Sequence, residues 1–428
     1  MKPFKAYFNI LKLRLNMALR KEVLSNYPIF ATIEPTLFCN LRCPICPTGL
    51  RLGLRPPEAM DLEMYRSIID EVGDYLLELQ MFNWGEPLLH KQTPQFIQYA
   101  KSKRIVVILS TNLSMNLTDE YIQSLIESGL DVLIVSLDGA TEETYQKYRR
   151  GGNFKLVREN MLRIHSAKEK LGIDTPTVVW QFLVFRHNQH EVEIAKRDYK
   201  IWGADSLNIH GAFTSTSNYD KRFCEQSTIP LFEPSTIPQY NVYLNENPAQ
   251  KAKHKYAKNR PCPWLYEAFV LNPGGRVSPC CAVWDAKDDF AEYSVSKGFF
   301  DAWNSGRFQR ARKLFSRSQK HWDSVAESCT QMLGDRRDIG VSNAQVSVNE
   351  NRLICTKCPM HSVPICLDIP EHSVTNYAYY SWQLYLRTRN IQYFFDLLLI
   401  ILVGGPPVWK LTVDSLKSHI LGFLKNLK

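Results

Sequence analysis

The stretch IVVILSTNLSMNLTDEYIQSLIESGLDVLIVSLDG, residues 105–139, decides the predicted fold. Two runs rich in β-branched residues, 105–111 and 131–138, have the composition of buried strands. Between them, Thr118 precedes apolar residues at helical spacing, which predicts a helix that begins at this threonine. A strand, a helix and a second strand in succession predict two parallel strands joined by a crossover helix.

The same alternation continues on both sides of this unit. Four further apolar runs have strand-like composition: 30–36, 77–83, 177–185 and 206–212. Helical patterns separate them, so that six strands alternate with helices. Six units rather than eight predict an α/β fold built as a partial (β/α)6 TIM-like barrel over residues 30–215, open on one side.

Unusual polar segments follow four of the predicted strands. They are CNLRCPIC at 39–46, WGEP at 84–87, STN at 110–112 and SLDG at 136–139. In barrels of this kind the chemistry takes place at the carboxyl ends of the strands. These segments therefore predict an active site at that end of the barrel, rather than a purely structural protein.

The first of these segments contains three thiols, Cys39, Cys43 and Cys46. A disulfide uses two thiols, and a structural zinc site usually has four ligands. Three closely spaced cysteines therefore predict a metal site that keeps one coordination position open. A zinc knuckle or a buried cysteine cluster is the alternative that the spacing alone leaves open.

The C-x3-C-x2-C spacing resembles the signature of the radical S-adenosylmethionine (SAM) enzymes. The resemblance implies that the three cysteines hold three irons of a 4Fe–4S cluster, whose fourth iron binds SAM. It implies an oxidoreductase or maturase that cleaves SAM reductively to a 5′-deoxyadenosyl radical, which abstracts hydrogen from a substrate. An external one-electron reductant of the flavodoxin or ferredoxin type is implied as well.

The other polar segments, together with YQKYRRGGNF at 145–154, resemble the cofactor-binding motifs of that family. The resemblance implies SAM contacts from these residues: Ile45, Gly85, Glu86, Pro87, Asn112, Ser136 and Arg149. Arg149 is expected to meet the methionine carboxylate. Two positions depart from the family pattern, since Ile45 replaces an aromatic residue and Trp84 replaces the first glycine of a G-G-E-P segment. We expect weaker stacking on the adenine and an altered pocket shape, with SAM binding retained.

A second group of cysteines lies in the C-terminal half. A Pro-Gly-Gly turn at 273–275 predicts a β-hairpin that brings Cys262 near Cys280, and a C-x2-C pair follows at Cys355 and Cys358. Four such thiolates make a closed set that suits zinc or an iron–sulfur cluster. The pattern is similar to the auxiliary-cluster extensions called SPASM and twitch domains. That resemblance implies one auxiliary 4Fe–4S cluster on these four cysteines.

The expected domain organisation follows from these assignments. A basic amphipathic helix at 1–29 precedes the barrel at 30–215, and a connecting segment follows at 216–260. A small cysteine-rich auxiliary-cluster domain with an insertion is expected at 261–366, and an amphipathic, hydrophobic helical region at 367–428. The remaining cysteines are expected to be ordinary buried or free thiols: Cys224, Cys281, Cys329 and Cys366.

The formal charge of +9 is concentrated at the two ends of the chain. Residues 1–30 carry six basic side chains against one acidic side chain, and residues 376–428 carry six against two. The neutral middle argues against a nucleic-acid partner, whose enzymes place basic residues around the site. Near the N-terminus, one helical stripe contains these apolar residues: Phe4, Phe8, Leu11, Leu15 and Leu19. Such a helix either lies on an anionic membrane surface or packs on the protein, and both alternatives stay open.

The expected location is the cytoplasm, with peripheral contact to the inner face of the membrane as a further option. Basic residues interrupt every apolar stretch near the N-terminus, so we expect no signal peptide. The cysteines are grouped as in metal sites, which favours a reducing compartment. The longest apolar run, 394–409, contains Asp396 and ends short of the ~20 residues that a spanning helix needs.

The substrate is left open between two classes. A twitch-type domain is typical of small-molecule dehydrogenases acting on sugars, and the basic, apolar ends add a lipid-linked substrate. A SPASM-type peptide maturase ranks second. Such maturases often carry a peptide-recognition domain ahead of the barrel, and the 38 residues that precede Cys39 are too few for it. A non-enzymatic iron–sulfur or zinc scaffold, or an electron-transfer protein, is the alternative from another class. If the substrate radical is oxidised, a base must remove a proton from it. Candidates for this base lie near strand ends: Glu34, Asp138, Asn188 and His210.

Overall fold

A computed structural model describes residues 4–212, 235–237, 240 and 261–315 of the chain. Several expectations concern residues outside these ranges. They are the ligands Cys355 and Cys358, the further cysteines Cys224, Cys329 and Cys366, most of the connection at 216–260, and the C-terminal region at 367–428. For these parts of the chain the sequence-based statements stay predictions.

Within the described ranges, nine strands form one sheet. In chain order they are β1 (Phe30–Ile33), β2 (Glu78–Gln80), β3 (Val106–Thr111), β4 (Val132–Ser136), β5 (Thr177–Val184), β6 (Ser206–Gly211), β7 (Ala268–Leu271), β8 (Arg276–Ser278) and β9 (Ala291–Glu292). Their order across the sheet is β6-β5-β4-β3-β2-β1-β7-β8-β9. Strands β1 to β6 pair in parallel with one another, which confirms the partial six-stranded barrel.

Helices connect the parallel strands. The α-helices of the described chain are α1 (Phe4–Ala18), α2 (Leu62–Val72), α3 (Thr93–Ser102), α4 (Asp119–Glu127), α5 (Glu142–Tyr148), α6 (Phe154–Leu171), α7 (Val192–Asp198), α8 (Trp264–Glu267), α9 (Phe299–Trp303) and α10 (Gly306–Lys313). Helix α4 begins where the sequence predicts, because Thr118 Oγ1 accepts a hydrogen bond of 3.2 Å from the Tyr121 N–H and caps the first turn. None of the helices in this part of the chain is long and apolar enough to cross a membrane.

The strands of the barrel bury both of their faces. Side chains alternate along a strand, so that Val107 of β3 packs outward against the helices while Val106 points inward. Val106 shares a packed cluster with Ile10 and Leu13 of α1. Helix α1 therefore fills the barrel interior at the end where the strands begin, and the carboxyl ends lie at the opposite side.

The hairpin expected around the Pro-Gly-Gly turn is present. Strands β7 and β8 pair antiparallel, and Gly274 and Gly275 have positive φ values of 76° and 81°, which favour glycine. Strand β7 also pairs in parallel with β1, so the hairpin extends the barrel sheet beyond β1. Arg55 binds both carboxylate oxygens of Asp289 at 2.7 Å and fastens the region after β8 to the loop after β1.

Candidate active site

The loop that follows β1 brings the three predicted cluster cysteines into one packed group. Cys43 is 6% exposed, and Cys39 and Cys46 are partly buried beside it. The Cys46 N–H donates to the Cys43 carbonyl oxygen at 3.2 Å, and the Leu41 N–H lies 3.5 Å from the Cys39 sulfur. These short-range bonds turn the loop so that the three thiols pack against the same neighbouring side chains, among them Ile45.

A 4Fe–4S cluster held by three thiolates makes different demands on its ligands from a single metal ion. In the described part of the chain, no group of three or more His, Cys, Asp or Glu side chains is arranged to hold one metal ion. A cubane does not need such a group, because each thiolate binds a different iron. The apolar surroundings of the loop also limit the access of water to whatever is bound there.

Burial controls the protonation of these thiols. It raises the pKa of Cys39 to about 12 and the pKa of Cys43 to about 11, although the positive charge of Arg149 acts in the opposite direction on Cys43. Without iron the thiols are therefore protonated at neutral pH. Since thiolates are the ligands, cluster binding must release protons.

Arg149 reaches the cysteine loop from the end of α5. Its Nε donates to Asp138 Oδ2 at 2.6 Å, and its Nη1 lies 4.0 Å from the Cys43 sulfur. Asp138 is fully buried, and its other carboxylate oxygen accepts the Leu183 N–H at 2.8 Å. This carboxylate holds the guanidinium so that its remaining donors lie beside the thiols.

Asn112 approaches the loop from the end of β3. Its Nδ2 donates to Asn40 Oδ1 at 3.0 Å and lies 4.0 Å from the Cys39 sulfur. Its backbone N–H donates to Glu86 at 2.7 Å, and Glu86 also accepts the Thr111 hydroxyl at 2.7 Å. The Glu86 carboxylate is thus bound within the protein and ties the loop after β2 to the end of β3. Burial raises its pKa to about 7.

The backbone of Trp84 and Gly85 contacts the segment between β1 and the cysteine loop. Glu34, which is fully buried, accepts the N–H groups of Trp84 at 2.6 Å and of Gly85 at 3.0 Å. A Cβ atom on Gly85 would lie 2.8 Å from the carbonyl carbon of Thr36, and closer still to its oxygen. Glycine is therefore required for this close approach. Burial raises the pKa of Glu34 to about 7.

The remaining predicted SAM contacts surround the same strand ends. Ser136, at the end of β4, is 7% exposed, and its hydroxyl lies 3.4 Å from the Ser110 hydroxyl on the inner face of the sheet. Ile45 is packed in the cysteine loop, and Pro87 is buried at the start of a short 3-10 helix. Of the seven predicted cofactor residues, Ile45 lies in the cysteine loop after β1 and Arg149 lies at the end of α5. The other five lie at or after the carboxyl ends of β2, β3 and β4.

The four candidate proton acceptors differ in how far their polar groups are already bonded. Glu34 and Asp138 are buried and bound as described above. Asn188 is buried and bonds the Phe185 N–H and two backbone carbonyls. His210 is exposed near the end of β6, and alternation along the strand directs it inward. Partial desolvation of the imidazole lowers the pKa of His210, while the negative charge of Asp138 acts in the opposite direction.

The second group of cysteines packs against the inner face of β1 and β7. Cys262, Cys280 and Cys281 contact a cluster that contains Phe30 and Val270. Burial raises the pKa of Cys262 to about 11. The sequence analysis separated Cys281 from the predicted ligands, whereas the structure places it in the same group. Its position next to Cys280 was the only signal of this in the sequence.

Trp84 links the two cysteine regions. Its indole Nε1 donates to the Val283 carbonyl oxygen at 3.3 Å, two residues after Cys281. The neighbouring Asn83 side chain, with its amide oriented to satisfy both of its partners, donates to the Cys281 carbonyl oxygen at 3.3 Å. The residue that departs from the family's glycine pattern thus joins the loop after β2 to the loop that carries Cys280 and Cys281.

Comparison with known proteins agrees with this geometry. The model of the Radical SAM superfamily matches residues 33–195, and the model of the SPASM iron–sulfur cluster-binding domain matches residues 262–331. Residues 33–195 are therefore assigned to the Radical SAM superfamily. Residues 262–331 are assigned to the SPASM domain, and the two domains together imply SAM, the 4Fe–4S cluster that binds it, and auxiliary iron–sulfur as cofactors.

Three relatives illustrate the range of similarity. The AdoMet-dependent heme synthase of Methanosarcina barkeri is 30% identical over 29% of this chain and 36% of its own length. The tungsten-containing aldehyde ferredoxin oxidoreductase cofactor-modifying protein of Pyrococcus furiosus is 25% identical over 80% of this chain and 97% of its own length. The mycofactocin maturase MftC of Mycobacterium ulcerans is 29% identical over 39% of this chain and 42% of its own length. The chain thus spans well under half of the heme synthase and the maturase, and these names give no support to a sugar or lipid-linked substrate.

Proposed function

We propose that this enzyme couples SAM cleavage at Cys39, Cys43 and Cys46 to hydrogen abstraction from a substrate held in the barrel interior. When bound, the cluster supplies the electron that cleaves SAM, and the 5′-deoxyadenosyl radical formed abstracts the hydrogen. The observation that carries the proposal is the approach of Arg149 to Cys43 and of Asn112 to Cys39. Cationic and amide donors beside the thiols suit an anionic cluster and a cofactor that bears a carboxylate.

The residues around the cluster have separate tasks in this proposal. Arg149 binds the methionine carboxylate through its Nη atoms, because Asp138 already occupies its Nε. Gly85 offers its carbonyl oxygen to the amino group of SAM, because its N–H donates to Glu34 and an amino group needs an acceptor.

The other proposed contacts shape the pocket. Ile45 packs against the adenine, and Ser136 supplies a polar contact from the inner face of β4. Glu86 and Pro87 fix the loop after β2, since the Glu86 carboxylate is bound to the end of β3. Asn112 keeps the cysteine loop in place through its bond to Asn40.

For the substrate, we propose a peptide or a cofactor precursor rather than a sugar or a lipid-linked molecule. The support is the maturase and cofactor-modifying relatives named above. The inner face of the sheet near the strand ends carries Ser110, Gln181 and His210, which suits hydrogen-bonding groups on the substrate.

His210 is the proposed proton acceptor for the oxidised substrate. It is the exposed member of the four candidates, and its lowered pKa keeps the imidazole neutral and able to accept a proton near pH 7. His210→Asn should leave SAM cleavage intact and reduce product formation per deoxyadenosine released. Asn208→Ala, at a neighbouring inward position of β6, is the control.

The auxiliary cluster is proposed to accept an electron from the substrate radical, giving net oxidation or bond formation. Cys262 and Cys280 are the proposed ligands from the described chain, and Cys355 and Cys358 are the predicted partners. Support comes from the packing of Cys262 and Cys280 against a cluster that contains Phe30, an inward residue of the barrel. A substrate in the interior would lie between this group and the loop after β1.

The test of the enzyme hypothesis uses anaerobically reconstituted protein. With dithionite and SAM it should release 5′-deoxyadenosine, and Cys43→Ala should abolish this release. Cys262→Ala should spare it at least in part, because this residue belongs to the other group. Iron-loaded wild-type protein that is inert towards SAM would overturn the proposal.

The substrate class is tested with fractionated cell extract that stimulates deoxyadenosine release. Prior protease treatment of the fraction should remove the stimulation if a peptide is the substrate. Stimulation that survives protease but is lost after periodate or lipase treatment would restore the sugar or lipid-linked class and refute the peptide proposal.

A further inference from the structure

Helix α1 has one face that is fixed on the protein. Its buried side includes Ile10 and Leu13 and two asparagines, Asn9 and Asn16. Asn9 exchanges two hydrogen bonds with the backbone of Tyr27, at 2.9 and 2.7 Å. Asn16 donates to Asn26 Oδ1 at 2.7 Å. These directional bonds set the rotation of the helix about its own axis and thereby determine which residues point outward.

The opposite face of α1 is apolar and exposed. We call it the outer stripe of α1, and its members are Phe4, Phe8, Leu11 and Leu15 of the helix and Leu19 just after its end, each more than half exposed to solvent. The last member lies fifteen positions after the first, so at 1.5 Å per residue the stripe runs for about 22 Å along the helix direction. Single exposed apolar side chains are normal, but a continuous stripe on a helix marks a surface that binds something.

The charges beside the outer stripe are all positive within the helix. Lys5 and Lys12 flank it, and α1 contains no acidic residue; Arg14, also in α1, donates to Glu267 Oε1 at 3.2 Å. Lys5 contacts Asp74 at 2.5 Å, but its side chain stays 53% exposed. Lys21, just beyond the helix, is exposed as well. An apolar stripe edged by basic side chains matches a surface with apolar interior and anionic groups.

We propose that the outer stripe of α1 binds the surface of an anionic lipid membrane, with the helix lying in the plane of the interface. The apolar side chains enter the boundary between headgroups and acyl chains, and the flanking lysines meet the anionic headgroups. This proposal does not depend on the proposed substrate or on the radical chemistry.

The position of α1 has a consequence for the active site. The inner face of α1 packs near the starts of the strands, where Ile29, Leu77 and Val106 lie. The cysteine loop follows the end of β1, at the opposite side of the barrel. Membrane binding through the outer stripe therefore leaves the mouth of the active site free, and it does not require a lipid-linked substrate.

The experiment uses the full chain and sedimentation with vesicles. Wild-type protein should bind vesicles of equal parts phosphatidylglycerol and phosphatidylcholine, and bind far less to pure phosphatidylcholine or at high salt. The triple variant Phe8→Ser, Leu11→Ser, Leu15→Ser should lose at least tenfold in vesicle affinity. The matched control is the double variant Ile201→Ser, Val295→Ser, because these residues are 70% and 64% exposed elsewhere on the protein.

Three outcomes would overturn the proposal. Equal vesicle binding by wild type and triple variant would show that the stripe does not contact lipid. A dimer of the wild type that becomes monomeric in the triple variant, without vesicle binding by either, would assign the stripe to a second copy of the chain. A lower melting temperature of the triple variant, again without vesicle binding by the wild type, would assign it to another segment of the same chain.

Discussion

Replacing Gly85 by alanine tests how closely the loop after β2 must approach the loop after β1. The added Cβ atom would lie 2.8 Å from the carbonyl carbon of Thr36 and 3.1 Å from the Cα atom of Leu37. These are backbone atoms, so no side-chain rotation relieves the overlap. Relief requires the two backbone segments to separate by about 1 Å, and overpacking of this kind costs about 1–3 kcal/mol.

The expected effect on SAM binding follows from the same displacement. Gly85 and Glu86 belong to the segment proposed to bind SAM, and misplacement of a binding group by about 1 Å costs on the order of a hundredfold. We therefore expect Gly85→Ala to weaken SAM binding by roughly tenfold to a hundredfold, or by about 1.4 to 2.7 kcal/mol. Equilibrium dialysis with the reconstituted protein measures this, and iron content shows whether the cluster is retained.

The control for Gly85→Ala is Gly172→Ala. Gly172 ends α6 with φ at +64°, and a Cβ there would meet nothing within 4 Å. Its replacement carries only the backbone cost of about 1 kcal/mol for a left-handed alanine, with no effect on SAM binding. If Gly85→Ala binds SAM within twofold of wild type and melts at the same temperature, the close approach of the two loops is wrong.

Three further predictions concern buried polar groups. Arg149→Gln leaves the Asp138 carboxylate buried without its counter-charge, so urea unfolding should show a loss of about 3–5 kcal/mol; adding Asp138→Asn should restore much of this stability but not SAM binding. Burial raises the pKa of Glu86 from 4.5 to about 7 in the folded protein. The folded protein therefore binds this proton more tightly than the unfolded chain does, and the contribution of Glu86 to the unfolding free energy should fall by at most roughly 3 kcal/mol as pH rises from about 4.5 to about 7. Glu86→Gln should lack this pH-dependent contribution, and an identical pH profile in both proteins would contradict the prediction. Trp84→Phe removes the indole donor but keeps an aromatic ring, so it should lower the unfolding free energy by about 1 kcal/mol while deoxyadenosine release is retained, and an unchanged unfolding free energy would show that the bond contributes nothing.

The barrel could be predicted from the sequence because its signals are local. β-branched runs, a capping threonine such as Thr118 and apolar residues at helical spacing each act within a few residues. The cysteine loop was equally accessible, since the spacing of Cys39, Cys43 and Cys46 lies within a single turn-rich segment. The family matches over 33–195 and 262–331 confirm the class that this spacing indicated.

The orientation of α1 could not be predicted in the same way. The sequence places five large apolar residues on one helical stripe, and packing of that stripe on the protein was one of the two alternatives. The structure buries the opposite face, which includes Asn9 and Asn16. A hydropathy pattern predicts that asparagine side chains face solvent. Here the buried amide of Asn9 donates to Tyr27 and that of Asn16 donates to Asn26, so both can be buried.

Pairings between distant segments were also beyond local reasoning. Strand β7 lies beside β1 although more than 230 residues separate Phe30 from its partner Ala268. The ion pair between Arg55 and Asp289 likewise joins residues far apart in sequence. Neither contact leaves a periodic pattern, because each depends on which surfaces meet after the barrel has formed.

The pairing of β7 with β1 gives the two cysteine regions a common boundary. Phe30 and Val270 lie on the inner face of adjacent strands, and Cys262 packs against the cluster to which they belong. The thiols of the other group share a packed cluster with Leu183, which alternation along β5 also places on the inner face. Both groups therefore adjoin the inner face of one sheet. Trp84 contacts the segment before the first group through its N–H, which donates to Glu34, and the second group through its indole, which donates to the Val283 carbonyl oxygen. The second group adjoins the barrel sheet because the hairpin continues that sheet beyond β1 instead of forming a separate body.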